Sequence, residues 1–188
     1  MFIILSNNEI FVGLKEIFGL VKIIMKERLK KSNELILKKI NNKILFKIFT
    51  LFNLPMALIS GLKIERITGT ECETSVGYKF LNKNPFNSIY FAVLSMAAEL
   101  STAALALLSI QTMDSNIAFI VTGMEGEFLK KAKGKIKFKC LEGKKIFKAV
   151  EKAVQNPEPA VQIVQTIGYD DDGEIVAIFN FKWSFKRR

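Results

Sequence analysis

The stretch FAVLSMAAELSTAALALLSI, residues 91–110, decides the fold, because twenty consecutive residues carry a single charge, that of Glu99. About 20 apolar residues are enough for a helix to cross a bilayer. A carboxylate at the centre of such a span costs on the order of 2–3 kcal/mol or more, and Ser95, Ser101 and Thr102 lower the hydropathy further. The stretch is therefore either a membrane span or a helix that its own protein encloses.

Segments with a period of two flank this helix and favour the enclosed alternative. Before it, residues 62–67 and the run CETSVGYKF (residues 72–80) are joined by ITGTE, which predicts a hairpin. After it we predict one amphipathic helix, KKIFKAVEKAVQ, and four strands: NIAFIVTGMEGEFL, KIKFKC, AVQIVQTIGY and EIVAIFNFKWSF. Alternating strands need a shared core, so we predict an α+β fold in which an antiparallel sheet curls around the apolar helix.

Composition limits the chemistry that is available. The 188 residues include 28 Lys and Arg against 18 Asp and Glu, a net charge of +10 that favours polyanionic partners. The absence of histidine excludes Ser-His-Asp and Cys-His catalysis and HExxH zinc sites, so acid–base chemistry falls to carboxylates, Lys, Tyr or Cys. Cys72 and Cys140 lack metal-site spacing, and we expect reduced core cysteines, no metal site and a cytoplasmic protein without a signal peptide.

The first fifty residues predict a helical extension. Residues 9–31 place apolar side chains on one helical stripe and lysines on the other face, and a second helix is predicted from Asn33 to about Phe52. We therefore divide the chain into an amphipathic extension, residues 1–50, and a main domain, residues 51–188. We expect residues 9–31 to pack on the protein itself, with weak contact to an anionic membrane surface as the alternative.

The loop and the start of the apolar helix carry residues at the spacing of a known motif: Asn84, Asn87, Tyr90, Phe91, Ala92 and, nine residues after Tyr90, Glu99. The pattern resembles N-x-x-G-x-x-H-G-G with a later acid, which is typical of the hotdog-fold thioesterase superfamily. Within it, the phenylacetate-type acyl-CoA thioesterase branch and an uncharacterised bacterial family are the most similar. EFLKKAKGKIKF resembles that branch's F-L-x-P-A-x-G strand pair. The chain departs from the motif at the histidine and at the glycines.

The resemblance implies a hotdog fold, in which a curved antiparallel sheet wraps one long helix. It also implies a homodimer or a dimer of dimers with each acyl site at an interface. The implied activity is an acyl-CoA thioesterase without a cofactor, in which Glu99 is general base or nucleophile and Asn84 and Tyr90 assist. The backbone N–H groups of Phe91 and Ala92 would hold the oxyanion. The region near the coenzyme A phosphates would contain Lys130, Lys131, Lys133 and Lys135.

Each of these roles has a structural alternative. Glu99 would then hydrogen-bond neighbouring side chains or a partner subunit, and Tyr90 would be a packed aromatic residue. The four lysines would be a solvated edge that resists aggregation. A non-catalytic acyl-CoA or fatty-acyl binding protein, attached peripherally to a membrane, is the alternative function, whereas a dehydratase would need the missing histidine. We predict no nucleic-acid partner, because the alternating aromatic residues over residues 179–185 indicate a core strand.

Overall fold

The computed structural model of the protein describes residues 34, 37–38, 42–113 and 115–188, and residues 36–188 form one compact unit. The amphipathic helix predicted over residues 9–31 lies outside the described residues. The helices are α1 (Lys43–Asn53), α2 (Pro55–Ser60), α3 (Phe91–Thr112) and α4 (Gly143–Gln155). The strands are β1 (Lys63–Ile67), β2 (Cys72–Gly77), β3 (Ile117–Phe128), β4 (Lys135–Cys140), β5 (Ala160–Tyr169) and β6 (Ile175–Arg187).

The six strands form one antiparallel sheet in the order β1-β2-β4-β5-β6-β3, which confirms the predicted α+β class. Alternation along β6 buries its four aromatic side chains, Phe179, Phe181, Trp183 and Phe185. The two cysteines are free, buried and opposite each other on β2 and β4. Burial raises the pKa of the Cys140 thiol to about 11, as expected of a core residue that stays protonated.

Helix α3 packs against five of the strands and against α4. Within the described ranges it is the one helix long and apolar enough to cross a membrane, by length and composition alone, and 67% of its most apolar window is buried inside the protein. Three hydrogen bonds fix it to the sheet: Thr74 Oγ1 to the Ala97 carbonyl (2.7 Å), Ser101 Oγ to Thr166 Oγ1 (2.8 Å), and Trp183 Nε1 to Thr102 Oγ1 (3.1 Å). Residues 91–110 therefore belong to a helix that the protein itself encloses, the second of the two alternatives.

The leading helices differ from the prediction of one helix over residues 33–52. Asn42 is the N-cap of α1, since its Oδ1 accepts hydrogen bonds from the N–H groups of Ile44 and Leu45. Pro55 then begins a second helix, α2, which ends at Gly61 in the left-handed conformation, with φ of 73°. The boundary predicted at residue 50 falls within α1 and remains a prediction.

Strand β2 ends at Gly77, three residues before the predicted end at Phe80. A short 3₁₀ turn, Phe80–Asn82, follows it. The buried carboxamide of Asn82 holds this turn, because its Oδ1 accepts from the Lys79 N–H and its Nδ2 donates to the Gly77 carbonyl, both at 2.7 Å. A side-chain hydrogen bond to the backbone thus replaces the ladder that would have continued the strand.

We expect Thr102→Val to lower the free energy of unfolding by about 1–3 kcal/mol, because it leaves the buried indole N–H of Trp183 without its acceptor. Urea unfolding measures the change. Thr112→Val is the matched control, since the Thr112 hydroxyl is bonded only to the Ser109 carbonyl of the same helix. Equal losses in the two variants would contradict the role assigned to the contact between helix and sheet.

Candidate active site

A groove of about 1110 Å³ lies between α3, α1 and the sheet. The helix α1 contributes Leu45, Phe46 and Phe49 to its wall, and the sheet contributes Phe119 and Trp183. The wall is therefore largely aliphatic and aromatic, as in the pockets that bind apolar small molecules.

One stripe of α3 forms the floor of the groove: Glu99, Leu100, Ala103, Ala104, Leu107 and Gln111. These positions repeat at three- and four-residue intervals, so they lie on one side of the helix. The small side chains of Ala103 and Ala104 at the centre leave the space that the groove occupies.

Glu99 is the one ionisable side chain among the residues that line this groove. It is partly buried, and burial raises the pKa of its carboxyl above the usual range. Over residues 42–113 and 115–188 the carboxylate makes no hydrogen bond and no ion pair, while its backbone carbonyl accepts from the Thr102 hydroxyl at 2.9 Å. A carboxylate in this environment is a stronger base than a solvated one.

The start of α3 leaves backbone donors free. The Tyr90 carbonyl accepts from the N–H groups of Val93 and Leu94, and no side chain caps the helix. The N–H groups of Phe91 and Ala92 consequently have no hydrogen-bond partner in the described part of the chain. Free donors at a helix N-terminus, where the helix dipole is positive, suit a developing negative charge.

The loop before the helix is held by Asn84. Its Oδ1 accepts from the N–H groups of Phe86 (3.0 Å) and Ser88 (3.2 Å), and its Nδ2 donates to Ser88 Oγ (2.9 Å). Asn87, at the position of the motif's first glycine, has a φ of 57°. Asparagine tolerates that left-handed conformation better than most residues, so the loop keeps a glycine-like turn without the glycine.

The structure does not bring all the predicted residues together within one protomer. Asn84, Tyr90, Phe91 and Ala92 do not line the groove that contains Glu99. At 1.5 Å per residue, the free N–H groups lie about 11 Å from Glu99 along the helix axis. The side chain of Tyr90 is instead exposed, with its ring 4.8 Å from that of Phe91.

The four lysines lie at the connection between β3 and β4, away from the groove. Lys130 forms an ion pair with Asp170 at 2.6 Å, and Lys135 forms one with Glu65 at 2.6 Å. The hydrogen bond from Lys130 lowers the pKa of the Asp170 carboxyl. Lys131 and Lys133 make no ion pair with any described residue, so they are the two that an added anion would meet without competition.

The aspartates at the tip of the β5–β6 hairpin serve the turn. Asp170 Oδ1 accepts from the N–H groups of Asp172 and Glu174, and Gly173 has a φ of 82°. Over the described ranges, no three His, Cys, Asp or Glu side chains are grouped as metal ligands would be.

Comparison with models of protein families identifies the family of this chain. The model of one family, described as a domain of unknown function (DUF4442), matches residues 42–185. The chain belongs to this family. A comparison with curated protein sequences finds no match.

Solved structures share the fold. A Pseudomonas aeruginosa protein of unknown function, named a probable thioesterase, is 24% identical, with a TM-score of 0.66 over 76% of this chain and 93% of its own. A Chlorobaculum tepidum protein of unknown function is 17% identical, with a TM-score of 0.69 over 84% and 98%. A Haemophilus influenzae thioesterase is 12% identical, with a TM-score of 0.55 over 74% and 88%. These likenesses confirm the hotdog fold that the motif implied.

Sequence reasoning missed the contribution of α1 to the groove. Leu45 and Phe49 line the groove and are still a little under half exposed, whereas Ile44 and Ile48, which do not line it, are more than half exposed. The sequence signal that could have revealed this wall is that α1 has apolar residues on two sides rather than on one. Members of the DUF4442 family with the same two-sided pattern are expected to have the same wall.

We expect Glu99→Gln to raise the free energy of unfolding at neutral pH and to have little effect below the ordinary glutamate pKa of about 4.3. Because burial raises the carboxyl pKa in the folded state, the folded chain binds the proton more tightly than the unfolded chain. Stability therefore falls as the pH rises from the ordinary pKa through the raised one, and stays lower above it. Glutamine does not ionise and escapes this loss. A tenfold difference in proton affinity corresponds to about 1.4 kcal/mol.

Urea unfolding across this pH range measures the difference between wild type and Glu99→Gln. The control is Glu127→Gln, which removes one exposed carboxylate from β3. A stability difference for Glu99→Gln that is the same at every pH would contradict the assignment.

Proposed function

We propose that this protein is an acyl-CoA thioesterase, with Glu99 as general base or nucleophile and the free N–H groups at the start of α3 as the oxyanion site. The observation that carries the proposal is the unpaired carboxylate of Glu99 in an apolar groove. The Pseudomonas and Haemophilus proteins, which have the same fold, bear thioesterase names.

The residues present suffice for hydrolysis of a thioester. With Glu99 as base, its carboxylate takes a proton from water while the water oxygen attacks the thioester carbonyl carbon. The carbonyl oxygen gains negative charge, which the N–H groups of Phe91 and Ala92 stabilise. The C–S bond then breaks, and the thiolate of coenzyme A takes the proton. With Glu99 as nucleophile, water would hydrolyse the resulting acyl-enzyme anhydride.

The separation along α3 supports a site formed by two copies of the chain. A single thioester carbonyl does not reach Glu99 and a helix start about 11 Å away in the same helix. Strand β3 lies at an edge of the sheet and pairs only with β6 among the described strands, and Ile120, Met124 and Phe128 on it are exposed. A long apolar edge is suited to pairing with a second copy. We therefore propose a homodimer in which Glu99 of one protomer acts with the helix start of the other.

The groove suits a long acyl chain. Glu99, Ala103, Leu107 and Gln111 follow one another at four-residue intervals, so Gln111 lies about 18 Å from Glu99. An extended hydrocarbon advances about 1.25 Å per carbon, given a C–C bond of about 1.5 Å and an angle of about 111°. The stripe is therefore as long as an acyl chain of about 14 carbons.

Lys131 and Lys133 are the lysines we assign to the phosphates of coenzyme A, since Lys130 and Lys135 are already paired with carboxylates. A phosphate would have to compete with Asp170 or Glu65 for the paired ones. A cytoplasmic location, where acyl-CoA is available, remains a prediction.

The second candidate function is an acyl-CoA or fatty-acyl binding protein without turnover. It is favoured by Asn84, whose carboxamide is engaged by its own loop at both ends, and by Tyr90, which does not line the groove. Binding without hydrolysis across the whole range of chain lengths would establish this function instead.

We expect Glu99→Gln to lower kcat for a long-chain acyl-CoA by about 10²–10⁴, the usual contribution of a general base. Phe91→Pro should also lower it, because proline removes one N–H at the first helical position and Tyr90, with ψ of 135°, already has a conformation compatible with a following proline. Phe91→Ala is the control that removes the ring and keeps the N–H. Release of free thiol measures all three.

Mixing Glu99→Gln with Phe91→Pro, under conditions in which subunits exchange, tests whether each site is formed by two protomers. Half of the dimers would be mixed, and each would have one intact site of two, so about a quarter of the wild-type activity should return. If each site belonged to one protomer, every site in the mixture would have a defect and no activity would return.

We expect substitutions along α3 to shorten the preferred acyl chain in steps. Ala103→Leu lies about 6 Å from Glu99 and should exclude chains longer than about 5 carbons, while Leu107→Phe at about 12 Å should exclude those longer than about 10. Rates for acetyl-CoA should be nearly unchanged in both variants. Thiol release with acyl-CoA of increasing length measures the profile.

Val161→Leu is the control for this series, because Val161 is exposed on β5 and does not line the groove. If Ala103→Leu and Leu107→Phe lowered the rates for all chain lengths equally, the groove would not be the acyl site.

A further inference from the structure

The helices α1 and α2 expose a group of large apolar side chains. Its members, here called the α1–α2 surface, are Ile44, Ile48, Leu51, Phe52, Met56 and Ile59. Each of these side chains is more than half exposed, and that of Phe52 is 78% exposed. Scattered apolar residues are ordinary on a protein surface, whereas a contiguous patch marks an interaction site.

The α1–α2 surface continues onto the 3₁₀ turn. Asn82 Nδ2 donates to the Ser60 carbonyl at 3.3 Å and so holds the turn against the end of α2. Phe80 and Leu81 on this turn are 78% and 71% exposed. Lys83 places its ammonium 4.5 Å from the centre of the Phe80 ring. The exposed apolar side chains of the turn therefore lie near the end of α2, with a lysine beside them.

The charges on these segments all have one sign. Residues 35–64 and residues 74–98 contain no Asp or Glu. Lys47, Lys63, Lys79 and Lys83 are exposed, and none of them forms an ion pair within the described part of the chain. An apolar surface on segments whose charges are all positive is complementary to an anionic lipid surface, where apolar side chains enter the headgroup region and lysines meet phosphate.

We infer that the α1–α2 surface docks the protein onto an anionic lipid bilayer. A second copy of this chain fits the same surface less well, because a two-fold interface would place lysines against lysines. The edge strand β3, which carries Glu125 and Glu127 as well as apolar residues, is separate and remains available for dimerisation.

Docking would bring the groove next to the bilayer, since α1 contributes residues both to the groove and to the α1–α2 surface. Leu45 and Phe49 line the groove, while Ile48 and Phe52 belong to the α1–α2 surface. An apolar acyl chain would pass from the lipid phase to the groove around a single helix. The docking itself does not require hydrolysis, so the test of docking is independent of the proposed thioesterase activity.

Co-sedimentation of the full-length protein with vesicles tests the inference. We expect binding to vesicles of phosphatidylcholine and phosphatidylglycerol in equal amounts, weaker binding to phosphatidylcholine alone, and loss of binding at high salt. The double variant Ile48→Ser/Phe52→Ser should lower the partition coefficient at least about tenfold, because two exposed apolar side chains no longer enter the lipid. The matched control is Val161→Ser/Ile163→Ser, which changes two exposed apolar residues of β5 and should bind like wild type.

Both double variants change exposed side chains, and equal midpoints of thermal unfolding would show that they are folded. Wild-type binding by Ile48→Ser/Phe52→Ser, or no binding of wild type to the anionic vesicles, would overturn the inference. It would also be overturned if sedimentation equilibrium found this variant monomeric while wild type and control were dimers, since a second copy would then cover the surface.

Discussion

An apolar helix without a polar side is stable in water only when other elements cover it on nearly every side. In this chain α3 is that helix, and the sheet with α4 supplies the cover. The strands alternate because one face of the sheet must bury α3 while the other remains solvated. The polar groups of the enclosed helix are satisfied by the sheet, through Thr74, Ser101 and Thr102. The order of the strands and the position of the groove follow from this enclosure.

The enclosure is incomplete at one place, and the groove lies there. Glu99 and Leu107 are less buried than Leu105, which lies on the other side of the helix. A carboxylate deep in the core would need a hydrogen-bond or ion-pair partner. A carboxylate beside a groove keeps some solvation and remains accessible to a molecule in the groove. Thr102 connects the buried side of α3 with the side that lines the groove, since its hydroxyl accepts a hydrogen bond from Trp183 and donates one to the Glu99 carbonyl. The fixation of the helix to the sheet thus also positions the carboxylate.

Most of the fold could be predicted from the sequence, because period-two alternation and the apolar run are local signals. The bounds of α3 and the core position of Phe179–Phe185 both came from such patterns. The start of α1 at Asn42 and the early end of β2 each depend on the hydrogen bonds of one carboxamide, that of Asn42 and that of Asn82, which a periodic pattern does not reveal. The groove was not predictable because it depends on where α1 lies relative to α3, and these two segments are distant in the sequence.

The residues of the motif illustrate how far local signals extend to the site. Tyr90 is the N-cap of α3, and Glu99 lies nine residues later within the same helix. The same regularity fixes their separation, since nine residues of helix extend over about 13.5 Å. A helix therefore cannot bring its own N-terminus to a side chain more than two turns later, however the loop before it is built. The proposed reaction therefore needs the two parts of the motif from different protomers, and we propose that pairing at the β3 edge brings them together.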